Sequence, residues 1–245
     1  MSKVSFNKLL INWKSQETKK NYLVGVLEKK DSKYKFFYIS NILIEAGKEG
    51  FTPFVGLSET EKIYESEKLF PVFERRLPNK NRSDFKKFLQ DNNLDLSDDV
   101  YWDYFVITHG RLATDSLSFS NPVVIENERM FFSFDVAGWS IYKIANAQIS
   151  RLTELTLHIE EDNEHDPFAV KILDSKKMNL IGYIPRPFNV LFYRLLKNNL
   201  LISAQIYHID PENYRPSVII TALGKSVEFI REENDLQYLI DYHGE

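Results

Sequence analysis

The 245-residue chain contains no cysteine, which excludes disulfide bonds and cysteine-ligated zinc and favours a reducing compartment. No apolar run is long enough to span a bilayer, and residues 1–20 lack the apolar segment of a signal peptide. An apolar content of 43% and an aromatic content of 14% exclude a largely disordered chain. We therefore expect a folded cytoplasmic protein that has no membrane partner.

The motifs of common catalytic sites are also missing. There is no phosphate-binding glycine loop, no dinucleotide-binding glycine pattern, no zinc-protease helix motif, no serine-hydrolase elbow and no kinase Asp-Phe-Gly. The five histidines are scattered along the chain. We therefore predict a protein that is not an enzyme and that uses no cofactor and no metal.

Charge is unevenly distributed, although the net charge is only −4. Residues 1–95 hold 18 Lys and Arg against 13 Asp and Glu, whereas residues 96–245 hold 13 against 22. A polar stretch that contains Pro122 separates two differently patterned halves. We predict a domain at residues 1–115, a linker at 116–128 and a second domain at 129–245.

The first half predicts a small antiparallel sheet with helices, an α+β domain. Three runs rich in β-branched and aromatic residues predict strands at residues 4–12, 22–27 and 33–39. Apolar spacing predicts helices at residues 69–77, 84–92 and 100–110. Proline is tolerated in a first helical turn, which fits Pro71.

Residues 160–171 (EEDNEHDPFAVK), followed by 181–186 (IGYIPR), form the most informative stretch. Apolar runs on both sides predict strands, and Asp166 with Pro167 predicts a tight turn between them. Gly182 would permit close backbone approach inside the next strand. The carboxylates of this turn could suggest a cation site, but their spacing does not match an EF-hand, so a solvated acidic turn is favoured. Two β-hairpins with ordinary polar turns are the plain alternative.

The Asn-x-x-Asp-x-x-Ala-Val-Lys turn, the Ile-Gly-Tyr-Ile-Pro element and the helical spacing after Pro187 resemble a HIRAN domain over roughly residues 130–223. The resemblance implies a small OB-like β-barrel with one helix. Residues 129–139, 200–209 and 217–222 fit its further strands, with Gly138 at a barrel corner. The apolar spacing of residues 226–242 predicts a C-terminal helix.

In helicase-attached members of that family, the resemblance implies a pocket that holds a single-stranded 3′ DNA end. Aromatic rings would stack bases while cations and amides hold phosphates. The residues carried over to this chain are Tyr142, Asn163, His165, Asp166, Tyr183 and Arg186. The turn is acidic, which opposes phosphate binding, so a barrel that serves as a protein-interaction module is the alternative.

The first half resembles the first N-terminal subdomain of HipA-like kinases, through VGVL at residues 24–27, a hairpin over residues 34–38 and LFPVFERRLP at residues 69–78. This resemblance implies a separately encoded HipA-like kinase as partner. The predicted partner-binding residues are Arg75, Arg76, Lys80 and Arg82. A generic α+β domain, with residues 69–78 as core helix and no partner for the charge cluster, is the alternative.

The sequence thus predicts a nucleic-acid-binding protein that recognises single-stranded or free DNA ends in bacterial defence, repair or toxin–antitoxin systems. An antitoxin-like regulator that binds a HipA-like kinase is the second hypothesis.

Overall fold

A computed structural model describes residues 6–31, 33–96, 100–142, 149–176, 178–212 and 214–244. Its contacts divide the chain into two compact units, Met1–Asn121 and Pro122–Glu245. Within the described residues, no helix combines the length and the apolar character needed to cross a membrane.

The first unit contains an antiparallel sheet with helices, which confirms the predicted sheet-plus-helix composition. The strand order is β4-β3-β2-β1-β5. The strands are β1 (Lys8–Lys14), β2 (Asn21–Lys30), β3 (Lys33–Tyr38), β4 (Tyr64–Ser66) and β5 (Leu117–Ser120). The helices are α1 (Ser40–Lys48), α2 (Pro71–Glu74), α3 (Ser83–Asp91) and α4 (Val100–Thr108).

Aromatic rings fill the core of the first unit. The Phe36 ring lies 4.7 Å from that of Tyr38 and 5.5 Å from that of Phe73, both edge-on, the geometry that the ring quadrupole favours. A Cβ on Gly25 would lie 2.7 Å from the Phe36 ring, so the glycine makes room for this central side chain. The segment predicted as helix 69–77 therefore contributes its apolar residues to the core, although only α2 is helical.

Two segments of the first unit differ from the sequence-based expectation. Helix α1 was not predicted; four of its nine residues are apolar, but of these only Ala46 is buried. Residues 116–128, predicted as a linker, instead hold β5 and a first strand of the second unit, with Asn121 and Pro122 between them. The first of these strands, β5, gains its hydrogen bonds from β1 near the start of the chain, a partner that a local pattern does not reveal.

The second unit contains one eight-stranded sheet among its described residues, in the order β10-β9-β8-β11-β12-β7-β6-β13. Its strands are β6 (Val123–Glu126), β7 (Arg129–Asp135), β8 (Glu154–Ile159), β9 (Val170–Asp174), β10 (Leu180–Tyr183), β11 (Ile202–Ile209), β12 (Pro216–Leu223) and β13 (Ile240–His243). Its helices are α5 (Trp139–Tyr142), α6 (Asn189–Lys197) and α7 (Lys225–Glu232), followed by a 3₁₀ helix at Asn234–Leu239.

The sheet curls into a half-barrel because β10 returns to the end of β7. The backbones of Ala137 and Tyr183 exchange two hydrogen bonds of 3.0 Å. Gly182 makes this approach possible, since its φ is +153° and an added Cβ would lie 2.4 Å from the carbonyl oxygen of Ala137. Helix α6 fills the concave side, where Phe132 packs against Phe188 at 4.3 Å.

The prediction of one C-terminal helix over residues 226–242 was wrong. Helix α7 ends at Glu232, and β13 runs parallel to β6 with Ile240 opposite Val123. The apolar residues on which the prediction rested, Val227, Ile230, Leu236 and Leu239, are all buried, but the last two lie in the 3₁₀ helix, and the residues after them pair with a distant strand.

Candidate functional site

The turn between β8 and β9 is shaped by its own polar side chains. The Asn163 Oδ1 accepts hydrogen bonds from the backbone N–H groups of His165 at 3.0 Å and Asp166 at 2.9 Å. Its Nδ2 donates to Glu160 Oε2 at 2.6 Å. Because both ends of this amide are engaged within the turn, Asn163 acts as a structural residue.

Asp166 joins the turn to the chain after β10 and to helix α6. Its Oδ2 accepts from Arg186 Nε at 2.6 Å and from Asn189 Nδ2 at 3.0 Å, and its Oδ1 accepts from the backbone N–H of Phe168 at 3.0 Å. Asn189 also donates to the Phe168 carbonyl oxygen at 3.2 Å. The side chain of Asn189 is buried, and sequence reasoning missed it because nothing local marks an asparagine at a helix start as a cross-link.

Arg186 is fixed in orientation yet keeps donors to spare. Its Nε binds Asp166 and its Nη2 donates to the His165 carbonyl oxygen at 2.6 Å. A guanidinium has five N–H groups, so three remain for a ligand. About a third of the side chain is exposed, at 35%.

Glu160 anchors the base of the turn. Its Oε1 lies 2.6 Å from Lys171 Nζ. Burial raises the pKa of Glu160, but hydrogen bonds from Lys171, Asn163 and Tyr183 outweigh it and hold the pKa below its usual value. The phenol of Tyr183 is therefore tied to this carboxylate, while its backbone closes the half-barrel.

The acidic turn should repel phosphate groups less strongly than its five carboxylates suggest. Lys197 Nζ lies 3.3 Å from Glu161 Oε1. Glu160, Glu161 and Asp166 each have a cationic partner, namely Lys171, Lys197 and Arg186. Only the other two carboxylates of the turn, Asp162 and Glu164, have no ion-pair partner among the described residues.

A partly exposed aromatic pair lies beside the turn and was not predicted. Phe168 is 40% exposed, and its ring contacts that of Tyr193 edge-on at 5.3 Å. Lys197 Nζ lies 6.0 Å from the centre of the Tyr193 ring. Because Asn189, Tyr193 and Lys197 are spaced by four residues, they share the face of α6 that meets the turn; this spacing is the signal that could have found them.

The structure brings five of the predicted nucleic-acid-binding residues into this one cluster: Asn163, His165, Asp166, Tyr183 and Arg186. His165 is exposed, and its imidazole has no hydrogen-bond partner among the described residues. The side chain of Tyr142 lies outside the described residues. No group of three or more acidic or histidine side chains suited to a metal ion occurs in the described part of the chain.

The predicted partner-binding cluster of the first unit is split by burial. Arg76 is buried and donates to the carbonyl oxygens of Gly110 and Leu117 and to Asp115. The prediction that it joins a surface patch was therefore wrong, because its charge is satisfied inside the unit. The remaining residues, Arg75, Lys80 and Arg82, are exposed.

Two of those exposed cations already have partners. Arg82 pairs with Asp84, with Nε to Oδ1 at 3.0 Å and Nη2 to Oδ2 at 2.6 Å. Lys80 Nζ lies 4.9 Å from the centre of the Tyr101 ring. Arg75 differs from both, since its guanidinium has no hydrogen-bond or ion-pair partner within the described residues.

Comparison with known proteins bears on the second unit. The model of the HIRAN domain family matches residues 130–226. The crystal structure of the HIRAN domain of human HLTF is similar at 11% identity, over 44% of this chain and 91% of that chain, with a TM-score of 0.37. The NMR structure of the same domain is similar at 13% identity, over 45% and 90%, with a TM-score of 0.32.

A protein from Lactobacillus plantarum is similar at 16% identity, over 38% of this chain and 95% of that chain, with a TM-score of 0.31. No curated protein matches the chain. The family match does not extend to the first unit, whose resemblance to a kinase subdomain stays a prediction. For the second unit the predicted resemblance is confirmed: residues 130–226 form a HIRAN domain.

Proposed function

We propose that the HIRAN domain binds the ends of single-stranded nucleic acid, DNA in particular, and catalyses no reaction. One observation carries the proposal: the Phe168–Tyr193 ring pair, of which Phe168 is exposed, lies beside Lys197 and next to the turn in which Asp166 binds Arg186. Aromatic faces with nearby cations are what sequence-tolerant single-strand binding requires, because every base has a face to stack and every nucleotide a phosphate.

Each residue of this surface has a separate role in the proposed binding. Phe168 and Tyr193 stack bases, and each stacked base contributes about 1–3 kcal/mol. Arg186 offers the N–H groups that its bonds to Asp166 and His165 leave unused. Lys197 neutralises a neighbouring phosphate. The family resemblance predicted Asn163 and Asp166 as ligand residues. In this proposal they instead stabilise the conformation of the turn.

Charge on the turn favours a free 3′-hydroxyl over a 3′-phosphate. Asp162 and Glu164, the two turn carboxylates with no ion-pair partner among the described residues, would repel a terminal phosphate that approached them. An uncharged hydroxyl meets no such repulsion, and the exposed imidazole of His165 can hydrogen-bond to it.

Fluorescence anisotropy with short single-stranded oligonucleotides tests the proposal. We expect strands with a 3′-hydroxyl to bind more tightly than the same strands carrying a 3′-phosphate. Phe168→Ala and Tyr193→Ala should each weaken binding by roughly 5- to 150-fold, the equivalent of one lost stack. Lys197→Ala should reduce the slope of log K against log salt by about 0.7.

Phe37→Ala is the matched control. The Phe37 ring is half-buried on the sheet of the first unit with Lys35 Nζ 5.7 Å from its centre, so it repeats the ring-plus-lysine arrangement away from the HIRAN domain. Binding should be unchanged in this variant. No binding at low salt, or binding that ignores both the 3′ group and the two rings, would refute the proposal and favour the protein-interaction alternative.

The partnership of the first unit with a HipA-like kinase, and a setting in defence, repair or toxin–antitoxin systems, stay predictions that rest on resemblance. Because Arg76 is buried, a charge-reversal test of that partnership needs Arg75→Glu alone. A kinase that co-purifies equally well with this variant would argue against the predicted cationic surface.

A further inference from the structure

A cleft of about 500 Å³ opens on the surface of the first unit. Its floor is aromatic, formed by Trp13, Phe51 and Phe54, and its rim carries hydroxyl groups such as that of Thr114 together with Arg75. The volume lies within the range of ligand sites in proteins, and the lining combines these rings with polar side chains.

A second cleft of about 370 Å³ continues from the first. The two share Thr52, Phe54 and Arg75, and the second extends over the apolar side chains of Val55 and Val72. Together they form one groove, the Arg75 groove, with the arginine at the junction. An elongated groove with apolar surface on both sides of a cation fits an extended chain segment better than a compact small molecule.

The wall of the Arg75 groove is held in place before any ligand arrives. Arg76 donates to the carbonyl oxygen of Gly110 at 2.9 Å and to that of Leu117 at 3.3 Å, and it pairs with Asp115. Asp115 Oδ1 in turn accepts from the backbone N–H of Leu117 at 3.1 Å. A wall that is already ordered lowers the entropic cost of binding.

Arg75 provides the exposed positive charge of the groove. Its guanidinium is exposed and has no hydrogen-bond or ion-pair partner in the described part of the chain, and the nearby carboxylate of Asp115 is committed to Arg76. An arginine fork matches the two oxygens of a carboxylate. A nucleic acid would need a row of cations along its backbone, whereas the groove lining offers one exposed cation.

We propose that the Arg75 groove binds an extended peptide segment of a partner protein, with an acidic side chain on Arg75 and bulky apolar side chains in the clefts on either side. This binding site is separate from the nucleic-acid surface of the HIRAN domain, and neither proposal depends on the other.

A random-peptide phage library selected on the immobilised full chain tests the proposal. Enriched sequences should share an Asp or Glu within two positions of an aromatic or large aliphatic residue. Fluorescein-labelled versions should bind Arg75→Ala at least 10-fold more weakly than the unaltered chain, and Arg75→Lys with an intermediate loss. Ala113→Trp, which fills the first cleft from its exposed rim, should block binding without altering charge.

Lys87→Ala is the control, because Lys87 is an exposed cation of the first unit that lies outside the groove lining. It should leave peptide affinity unchanged. The proposal fails if no sequence is enriched, if the enriched peptides lack an acidic residue, or if Arg75→Ala binds them normally. It also fails if a single-stranded oligonucleotide displaces them from the groove, because the site would then recognise nucleic acid.

Discussion

Gly182→Ala should disrupt the contact between β10 and the chain after β7 that closes the half-barrel. Gly182 has a φ of +153°, and an added Cβ would lie 2.4 Å from both the Ala137 carbonyl oxygen and a methyl carbon of Val136. A backbone conformation of this kind costs a non-glycine residue about 1–3 kcal/mol. Overpacking against neighbours that cannot move adds about 1–3 kcal/mol, so we expect a loss of about 4 kcal/mol in the free energy of unfolding of the second unit.

A loss of this size is measurable in two ways. For a unit of this length it corresponds to a fall of roughly 15 °C in Tm. Hydrogen exchange in the full chain should show faster exchange in the segments around Ala137 and Tyr183, whose mutual hydrogen bonds form the closure, and unchanged exchange in β1 and β2. Oligonucleotide binding should weaken as well, because β10 leads directly into Arg186.

Gly224→Ala separates backbone strain from the clash. Gly224 also has a positive φ, +55°, but an added Cβ there would have no atom within 4 Å. Strain at a backbone conformation that other residues avoid costs about 1–3 kcal/mol, so this variant should lose less stability than Gly182→Ala, which adds the clash. Equal losses for the two variants would refute the argument that close approach of β10 to the Ala137 carbonyl determines the closure.

Three further outcomes follow from the polar contacts. Arg76→Ala should cost the first unit about 1–3 kcal/mol in urea denaturation, because it removes the side-chain donor of the Gly110 and Leu117 carbonyl oxygens and the partner of Asp115; an unchanged midpoint would contradict this. The pKa of Glu160 is lowered in the folded state, so the contribution of Glu160 to stability is present above the unfolded pKa of about 4.3 and is lost as the pH falls. Glu160→Gln should therefore make acid denaturation less steep. Identical stability–pH profiles of the variant and the unaltered chain would exclude this contribution. Asn189→Ala should cost about 1 kcal/mol by removing the hydrogen bonds from its amide to Asp166 and to the Phe168 carbonyl oxygen, measurable as faster hydrogen exchange of the Phe168 amide.

The parts of the HIRAN domain that sequence predicted well are the parts set by neighbouring residues. The turn at Asn163 and Asp166 depends on side chains that bind backbone N–H groups two or three positions away, and such preferences are written in a short stretch of sequence. Gly182 was identified for a similar reason, since glycine inside a strand pattern usually marks close backbone approach.

Features that depend on distant partners were not predictable in the same way. Arg75 and Arg76 are consecutive arginines, yet one is exposed and the other is buried against Gly110 and Leu117. Nothing in the local sequence distinguishes them, because the acceptors come from a segment far along the chain. The end of the predicted C-terminal helix became β13 for the same reason, as its pairing with β6 is long-range.

Some residues in and around the turn stabilise its conformation, and others are available to contact a ligand. The motif predicted Asn163 and Asp166 as ligand residues, but in the structure they belong to the first group. Asn163 and Asp166 are the most recognisable residues of the motif, but each has three hydrogen bonds within the protein. Replacing either one would disturb the turn before it disturbed a contact with nucleic acid, so a loss of binding in such variants would not identify a ligand residue. Phe168, Tyr193 and Lys197 lie beside the same turn, and substitutions there change stacking and charge while the hydrogen bonds of Asn163 and Asp166 stay intact. A test of the proposed nucleic-acid surface therefore depends on residues other than the Asn and Asp of the family motif.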